Sequence, residues 1–151
     1  PEDSINGNII MLDNLQDPGN LGTIIRSAVA FNIGTIIISD DSVDLYNPKV
    51  VRSTEGMIFN LNVIRRNLKE VIPVLKRQGY KIVGTLVNAG DDLKNIDKEN
   101  VCIIIGNEGN GMSLDIRDMC DNFTNIKISD NCESLNAGVA ASIIMYEVNH
   151  E

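Results

Sequence analysis

Three stretches of this 151-residue chain set polar side chains among glycines and prolines in ways that packing alone does not call for. The first, Asp13-Asn-Leu-Gln-Asp-Pro-Gly-Asn20, runs into Leu21-Gly-Thr-Ile-Ile-Arg26. Pro18-Gly19 predicts a tight turn and Asn20 a helix N-cap, which puts Arg26 on the second turn of the helix that Asn20 opens. The neighbours Ile24, Ile25, Ala28, Val29 and Ala30 predict a largely buried helix, in which the Arg26 charge needs a partner. From this helix alone, a structural salt bridge is the better account of Arg26.

The second stretch is Ile105-Gly-Asn-Glu-Gly-Asn-Gly-Met-Ser113. Gly106, Gly109 and Gly111 allow the backbone to approach a ligand closely, as in a phosphate loop. A Lys-Ser/Thr ending is missing, however, and Glu108 would repel phosphate, so the stretch reads as a glycine-rich loop built around a carboxylate. A plain turn capped by Ser113 explains the glycine density less well. The third stretch, Ser129-Asp-Asn-Cys-Glu-Ser-Leu-Asn136, leads into an apolar helix. Ser134 is explained as its N-cap, whereas capping leaves Asn136 unexplained. Ala137, Gly138, Ala140, Ala141 and Ser142 leave one side of that helix smooth, suited to an interface or a tightly threaded core.

The elements that must position these stretches alternate in type. Strands are predicted at Asn8–Leu12, Thr35–Ser39, near Asn60–Ile64, Lys81–Leu86, Val101–Ile105 and Thr124–Ile128. Helices are predicted at Leu21–Phe31, near Lys49–Ser53, and at Leu68–Gln78, Ser113–Cys120 and Leu135–Val148. The nearly unbroken apolar runs Ile36-Ile37-Ile38 and Val101-Cys-Ile-Ile-Ile105 indicate an α/β domain whose mostly parallel sheet is covered by helices on both faces. Ligands of such sheets sit beyond the carboxyl ends of the strands, where all three polar stretches fall.

Composition narrows the function classes. No run is long or apolar enough to span a membrane, and residues 1–10 have no basic start followed by an apolar stretch. Cys102, Cys120 and Cys132 are odd in number and widely spaced, which indicates a reducing, cytoplasmic setting without a zinc site or disulfide framework. His150, the single histidine, reads as a solvated tail residue. The net charge of -8 argues against a simple nucleic-acid binder. Yet Lys49, Arg52, Arg65, Arg66, Lys69, Lys76, Arg77 and Lys81 face only Glu55 and Glu70 over the same span, a local balance of +6. Those charges either line a basic band on an acidic body or merely solvate two helices.

Together the three stretches resemble the signature motifs of SpoU (TrmH-like) RNA 2′-O-ribose methyltransferases of the SPOUT superfamily. Asn20 followed six residues later by Arg26, the run Gly106-Asn-Glu-Gly-Asn-Gly111, and Ser134-Leu-Asn136 match those motifs in order and spacing. One departure concerns the last strand, often Ile-Pro-Met followed by Gly in the family, which here is Ile126-Lys-Ile128 followed by Ser129 and Asp130.

The resemblance implies one catalytic domain over 1–151 with a C-terminal trefoil knot and a flexible tail at 1–7. It also implies that a preceding RNA-binding domain is either removed or lacking. S-adenosyl-L-methionine would be the cofactor, held by Thr85, Leu86, Gly106, Asn107, Gly109, Ile126, Ile128 and Leu135, with no metal. The substrate would be a ribose 2′-hydroxyl of ribosomal or transfer RNA, and the protein a homodimer off the membrane. Arg26 would activate the hydroxyl, by orientation and charge more than as a base, because a guanidinium is ordinarily protonated. Glu108 would hold Arg26 or the substrate, and Asn20, Ser134 and Asn136 would orient backbone and ribose. The alternatives are an inactive cofactor- or RNA-binding module of the same fold, and an ordinary nucleotide-binding domain.

Overall fold

The computed structural model describes residues 7–54, 61–87 and 89–149. The predicted tail up to residue 6, Glu55, the start of the strand expected near Asn60, and His150 lie outside the described residues.

Six strands form close to where the sequence predicts them, most of them around β-branched residues. They are β1 (Ile9–Leu12), β2 (Thr35–Ser39), β3 (Asn62–Arg66), β4 (Lys81–Thr85), β6 (Val101–Ile105) and β7 (Asn122–Asn125). A two-residue strand, β5 (Asp91–Asp92), was not expected; its aspartates carry no β signal, and only pairing with β7 makes them a strand. The helices are α1 (Pro18–Ala30), α2 (Pro48–Thr54), α3 (Leu68–Arg77), α4 (Leu114–Arg117) and α5 (Ala137–Asn149). α4 is shorter than predicted, and β7 covers 122–125 where 124–128 was expected, so Ile126 and Ile128 follow the strand instead of belonging to it.

All seven strands run parallel in the order β3-β2-β1-β6-β4-β7-β5. β1 and β6 pair in register from Ile9 with Cys102 to Leu12 with Ile105. From that pair the chain builds outward in opposite directions, so a topological switch lies between β1 and β6, and the crevice beyond their carboxyl ends is where such sheets bind ligands. The loops after both strands are the first and second of the polar stretches.

Alternate strand residues supply two cores. Ile10, Leu12, Ile36, Ile38, Ile103 and Ile105 face α1 and α5, where Leu21, Ile24, Ile25, Ala141, Ile144 and Met145 cover them. Ile9, Met11, Ile37, Ile82, Cys102 and Ile104 face α3 and α4, packed by Leu68, Val71, Ile72, Leu75 and Ile116. Each such fully buried aliphatic side chain contributes about 1.5–3 kcal/mol over an exposed one. The three cysteines are free. Burial pushes the Cys102 and Cys120 thiols up, Cys120 to about 11, which leaves both as packing groups.

The same division of faces changes the reading of the basic span. α2, carrying Lys49 and Arg52, belongs to the α1 side through buried Val50, while α3, carrying Lys69, Lys76 and Arg77, lies on the opposite side. Lys69 pairs with Asp115 and Lys76 with Asp121. Arg65 donates to the carbonyls of Ser39, Asp40, Ser42 and Val43, pinning the loop after β2. A single continuous band from Lys49 to Lys81 is therefore not formed, because β2 to β3 and β3 to β4 move in opposite directions along the sheet, and right-handed crossovers then put α2 and α3 on opposite faces.

Candidate active site

The loop between β1 and α1 is held from several sides. Asn14 adopts a left-handed conformation with φ of 59°, which asparagine tolerates, and its amide donates to Ser39 Oγ at 2.8 Å. The Leu15 amide donates to Ser42 Oγ, and the Leu15 carbonyl accepts from the Val43 amide. Asp17, not Asn20, is the N-cap of α1: its Oδ1 accepts from the amides of Gly19 at 2.7 Å and Asn20 at 3.3 Å. Pro18 at the first helical position is preorganised for that start, so the helix begins earlier than Asn20 alone suggests. Asp17→Ala is expected to cost about 1 kcal/mol, read as a lowered midpoint in chemical denaturation.

Released from capping, Asn20 is 8% exposed and its Nδ2 donates to Glu108 Oε2 at 3.4 Å. The buried expectation for Arg26 is also corrected. Leu21, Ile24, Ile25 and Ala28 point into the core, whereas Thr23, Arg26 and Ala30 form an outer stripe, so α1 is amphipathic and Arg26 faces outward.

The glycine-rich loop after β6 closes on itself. Asn107 and Gly111 exchange backbone hydrogen bonds of 3.0 and 2.9 Å. Asn107 Oδ1 accepts from the Gly109 and Asn110 amides, and its Nδ2 donates to the Asn14 carbonyl at 2.8 Å. Asn107 thus lines the pocket while its polar atoms organise the loop and tie it to the first one. At Gly106 a Cβ would come within 2.3 Å of Gly111 C and Met112 N, so glycine is required there.

Glu108 makes the second tie, accepting from the Asp17 amide at 2.7 Å and the Gln16 amide at 3.1 Å. Burial alone would raise its carboxyl, but these backbone hydrogen bonds and that from Asn20 outweigh it and hold the group below the ordinary glutamate value. A depressed carboxyl stabilises the fold fully above its unfolded value and loses that contribution as acid carries the pH down through the folded one. Below pH 4.5 the wild type is therefore expected to lose thermal stability more steeply than Glu108→Gln, in melts recorded across pH. A third tie joins Asp13, 5% exposed at the end of β1, to the amide and hydroxyl of Ser113 at 2.8 and 3.0 Å.

In the third stretch the capping roles are the reverse of those expected. Asn136 Oδ1 accepts from the Val139 amide and its carbonyl from the Ala140 amide, making Asn136 the residue that opens α5. Ser134 lies in the loop ahead, its carbonyl accepting from Cys132 Sγ. Leu135 and Ser134 stay outside the helix because Asn136 offers the cap closer to the small residues that pack. The smooth side of α5 rests on α1: Ser27 and Ser142 hydroxyls are 2.6 Å apart. A Cβ on Gly138 would stand 3.2 Å from both Asn20 Oδ1 and Asn136 Oδ1, which places those two asparagines together.

These loops enclose a pocket of about 250 Å³. Its walls include Thr85 and Leu86 at the end of β4, Gly106 to Gly109 after β6, Ile126 and Ile128 after β7, and Ser134 and Leu135 before α5. Asn20 adjoins it through Glu108, and Asn136 stands between the lining residues Leu135 and Ala137; Arg26 is further along α1. Val87, Ile105, Asn125, Ala137, Ala140 and Ile144 also line it and were not assigned to the site from the sequence, since they look like ordinary strand-end and helix residues. Asp13 and Asp17 were missed as positioning residues. The order Asp-Pro-Gly was a usable signal for Asp17, whereas Asp13 carries none beyond its place after a strand. Among the described residues no His, Cys, Asp and Glu cluster suits a metal ion, and no helix is long and apolar enough to cross a membrane.

The geometry has close counterparts. A model of the SpoU rRNA Methylase family matches residues 7–146. The 23S rRNA (guanosine(2553)-2′-O)-methyltransferase RlmP of Bacillus subtilis is 36% identical over 141 residues, covering 93% of this chain and 57% of RlmP. The crystal structure of the SpoU methyltransferase AviRb from Streptomyces viridochromogenes in complex with the cofactor AdoMet superposes with a TM-score of 0.88 at 32% identity. That match covers 96% of this chain and 61% of AviRb. An AdoMet-bound rRNA methyltransferase from Sinorhizobium meliloti gives a TM-score of 0.91 at 29% identity, over 98% of this chain and 59% of its own. The chain thus spans about three fifths of the length of these relatives.

Proposed function

The chain belongs to the SpoU rRNA Methylase family, and from that membership we propose that it transfers a methyl group from S-adenosyl-L-methionine to a ribose 2′-hydroxyl of ribosomal or transfer RNA. The observation that carries this reading is the double engagement of Glu108. It lines the pocket and, through Asp17 and Asn20, also holds the start of the helix bearing Arg26.

The pocket suits the cofactor. Leu86, Ile126, Ile128 and Leu135 supply apolar walls for a purine, the glycines at 106 and 109 let backbone groups approach it, and the Glu108 carboxylate complements a sulfonium charge. When bound, the cofactor supplies the methyl group. Arg26 orients the incoming ribose and stabilises the negative charge that develops on its 2′-oxygen as the hydroxyl proton passes to solvent water, the methyl moving to that oxygen and S-adenosyl-L-homocysteine being released. Asn20, Ser134 and Asn136 fix the loops on either side of the acceptor. Three further parts of the reading rest on the same membership: a trefoil knot, a cytoplasmic setting and a homodimer. The return of the chain from β7, on the far side of β4, to the α1 contact of α5 supports the knot, and exposed Val139, Ile143 and Tyr146 on α5 support the dimer.

Calorimetry is expected to show binding of S-adenosyl-L-methionine and not of ATP or NAD, and labelled methyl from that cofactor is expected to appear at RNA 2′-hydroxyls. Binding of ATP with no response to S-adenosyl-L-methionine would overturn the assignment.

A further inference from the structure

Among the described residues five polar side chains line the pocket, and three of them are occupied in holding its loops. Thr85 Oγ1 donates to the Ile104 carbonyl. Asn107 uses both ends of its amide within the glycine-rich loop and on Asn14, and Glu108 accepts from the first loop. Ser134 and Asn125 remain. Asn125 closes β7, and its Nδ2 donates to the carbonyls of Ala89 at 2.6 Å and Gly90 at 3.1 Å. Two carbonyls can be met only by the NH2 end of the amide, so these contacts fix which way it lies and take up both of its donors. What Asn125 still offers is an acceptor, Oδ1, to which none of the described residues donates.

The sheet order sets where that acceptor stands. Glu108 follows β6 and grips the loop after β1, its neighbour on one side, whereas Asn125 ends β7, beyond β4 on the other. Neighbouring strands are about 4.8 Å apart, so β6 and β7 are separated by roughly 10 Å, and Glu108 and Asn125 stand at opposite ends of the pocket. Apolar side chains gather at the Asn125 end: Leu86 and Val87 precede the two residues that Asn125 holds, and Ile126 adjoins it. The rim there is tied down further, since the Leu86 amide donates to the Thr124 carbonyl at 3.0 Å and Thr124 Oγ1 to the Asp91 carbonyl at 2.8 Å. A ligand that joins a cation to a flat heterocycle therefore lies with its cation toward Glu108 and its ring among these apolar side chains, one edge against Asn125.

We propose that Asn125 selects the cofactor's base: Oδ1 accepts from the exocyclic 6-amino group of adenine and disfavours a purine that carries a 6-oxo group in its place. The amide cannot turn over to offer an N–H without giving up both the Ala89 and Gly90 contacts, so a 6-oxo purine would set two acceptors against each other. The proposal deepens the methyltransferase reading and rests on it, because it names the contact by which this pocket recognises the adenine of S-adenosyl-L-methionine.

The test is calorimetric titration of the chain with S-adenosylhomocysteine and with S-inosylhomocysteine, its 6-oxo counterpart. The wild type is expected to favour the amino compound by a factor of roughly ten or more, and Asn125→Ala to lose most of that preference. A role confined to holding residues 89 and 90 would weaken both compounds alike, so the ratio separates recognition from support. Thr124→Val, which removes the neighbouring tie to Asp91 and no pocket-lining group, is expected to keep the wild-type ratio even where it weakens both compounds. The proposal is overturned if Asn125→Ala keeps the wild-type ratio or if Thr124→Val loses it to the same degree. Equal affinity of the wild type for the two compounds overturns it without any variant and leaves the methyltransferase reading in place, whereas a wild type that binds neither overturns both.

Discussion

Replacing Arg26 with alanine is expected to lower methyl transfer to RNA by roughly 100-fold or more, while cofactor affinity and the melting temperature stay near wild type. The side chain lies on the outer stripe of α1, away from the core residues Leu21, Ile24, Ile25 and Ala28, so its loss opens no cavity. Its position is set by a chain of contacts: Glu108 holds the Asp17 amide, Asp17 caps α1, and Arg26 follows further along that helix. Arg26→Lys should recover only part of the rate, because an ammonium keeps the charge and loses the planar pair of donors. Single-turnover assays with saturating cofactor separate this loss from weakened binding. Full activity in a folded Arg26→Ala protein would remove Arg26 from the mechanism.

The second large effect is expected at Gly106. A methyl group there would meet Gly111 C and Met112 N at 2.3 Å, and both are backbone atoms of a loop closed by the Asn107–Gly111 pair, with no flexible side chain to move aside. Gly106→Ala should therefore cost about 3 kcal/mol. If that cost falls on the closed form of the loop, cofactor affinity drops about 100-fold. Gly109→Ala is the informative contrast for stability, since its Cβ would meet only Asn107 Oδ1 at an ordinary 3.6 Å. Thermal melts and calorimetry read the two effects, and a Gly106→Ala protein that melts and binds like wild type would show that the close approach is not required.

Much of this arrangement was legible in the residues. Ile36-Ile37-Ile38 and Val101 to Ile105 read as buried parallel strands because both faces of each are apolar, and they are β2 and β6. The eight residues assigned to the cofactor all line one pocket, since each sits at or just beyond the end of a strand or just before α5, where a parallel sheet opens. Boundaries and local roles were less legible. Asn20 and Asn136 are both good caps by type, yet only Asn136 caps, because Asp17 with Pro18 claims the start of α1 first. β5 was invisible because two aspartates form a strand only when β7 offers them an edge.

By itself the sequence determined the fold class, the three loops and the identity of the groups that meet there, because hydrophobic period and turn chemistry are local properties that survive in one dimension. Tertiary structure alone decided that Glu108 engages the amides of Gln16 and Asp17 and that the basic residues divide between two faces. Those outcomes depend on contacts between residues about 90 positions apart and on which side of the sheet each crossover helix falls. No local pattern encodes either: both are settled only when the strands take their order.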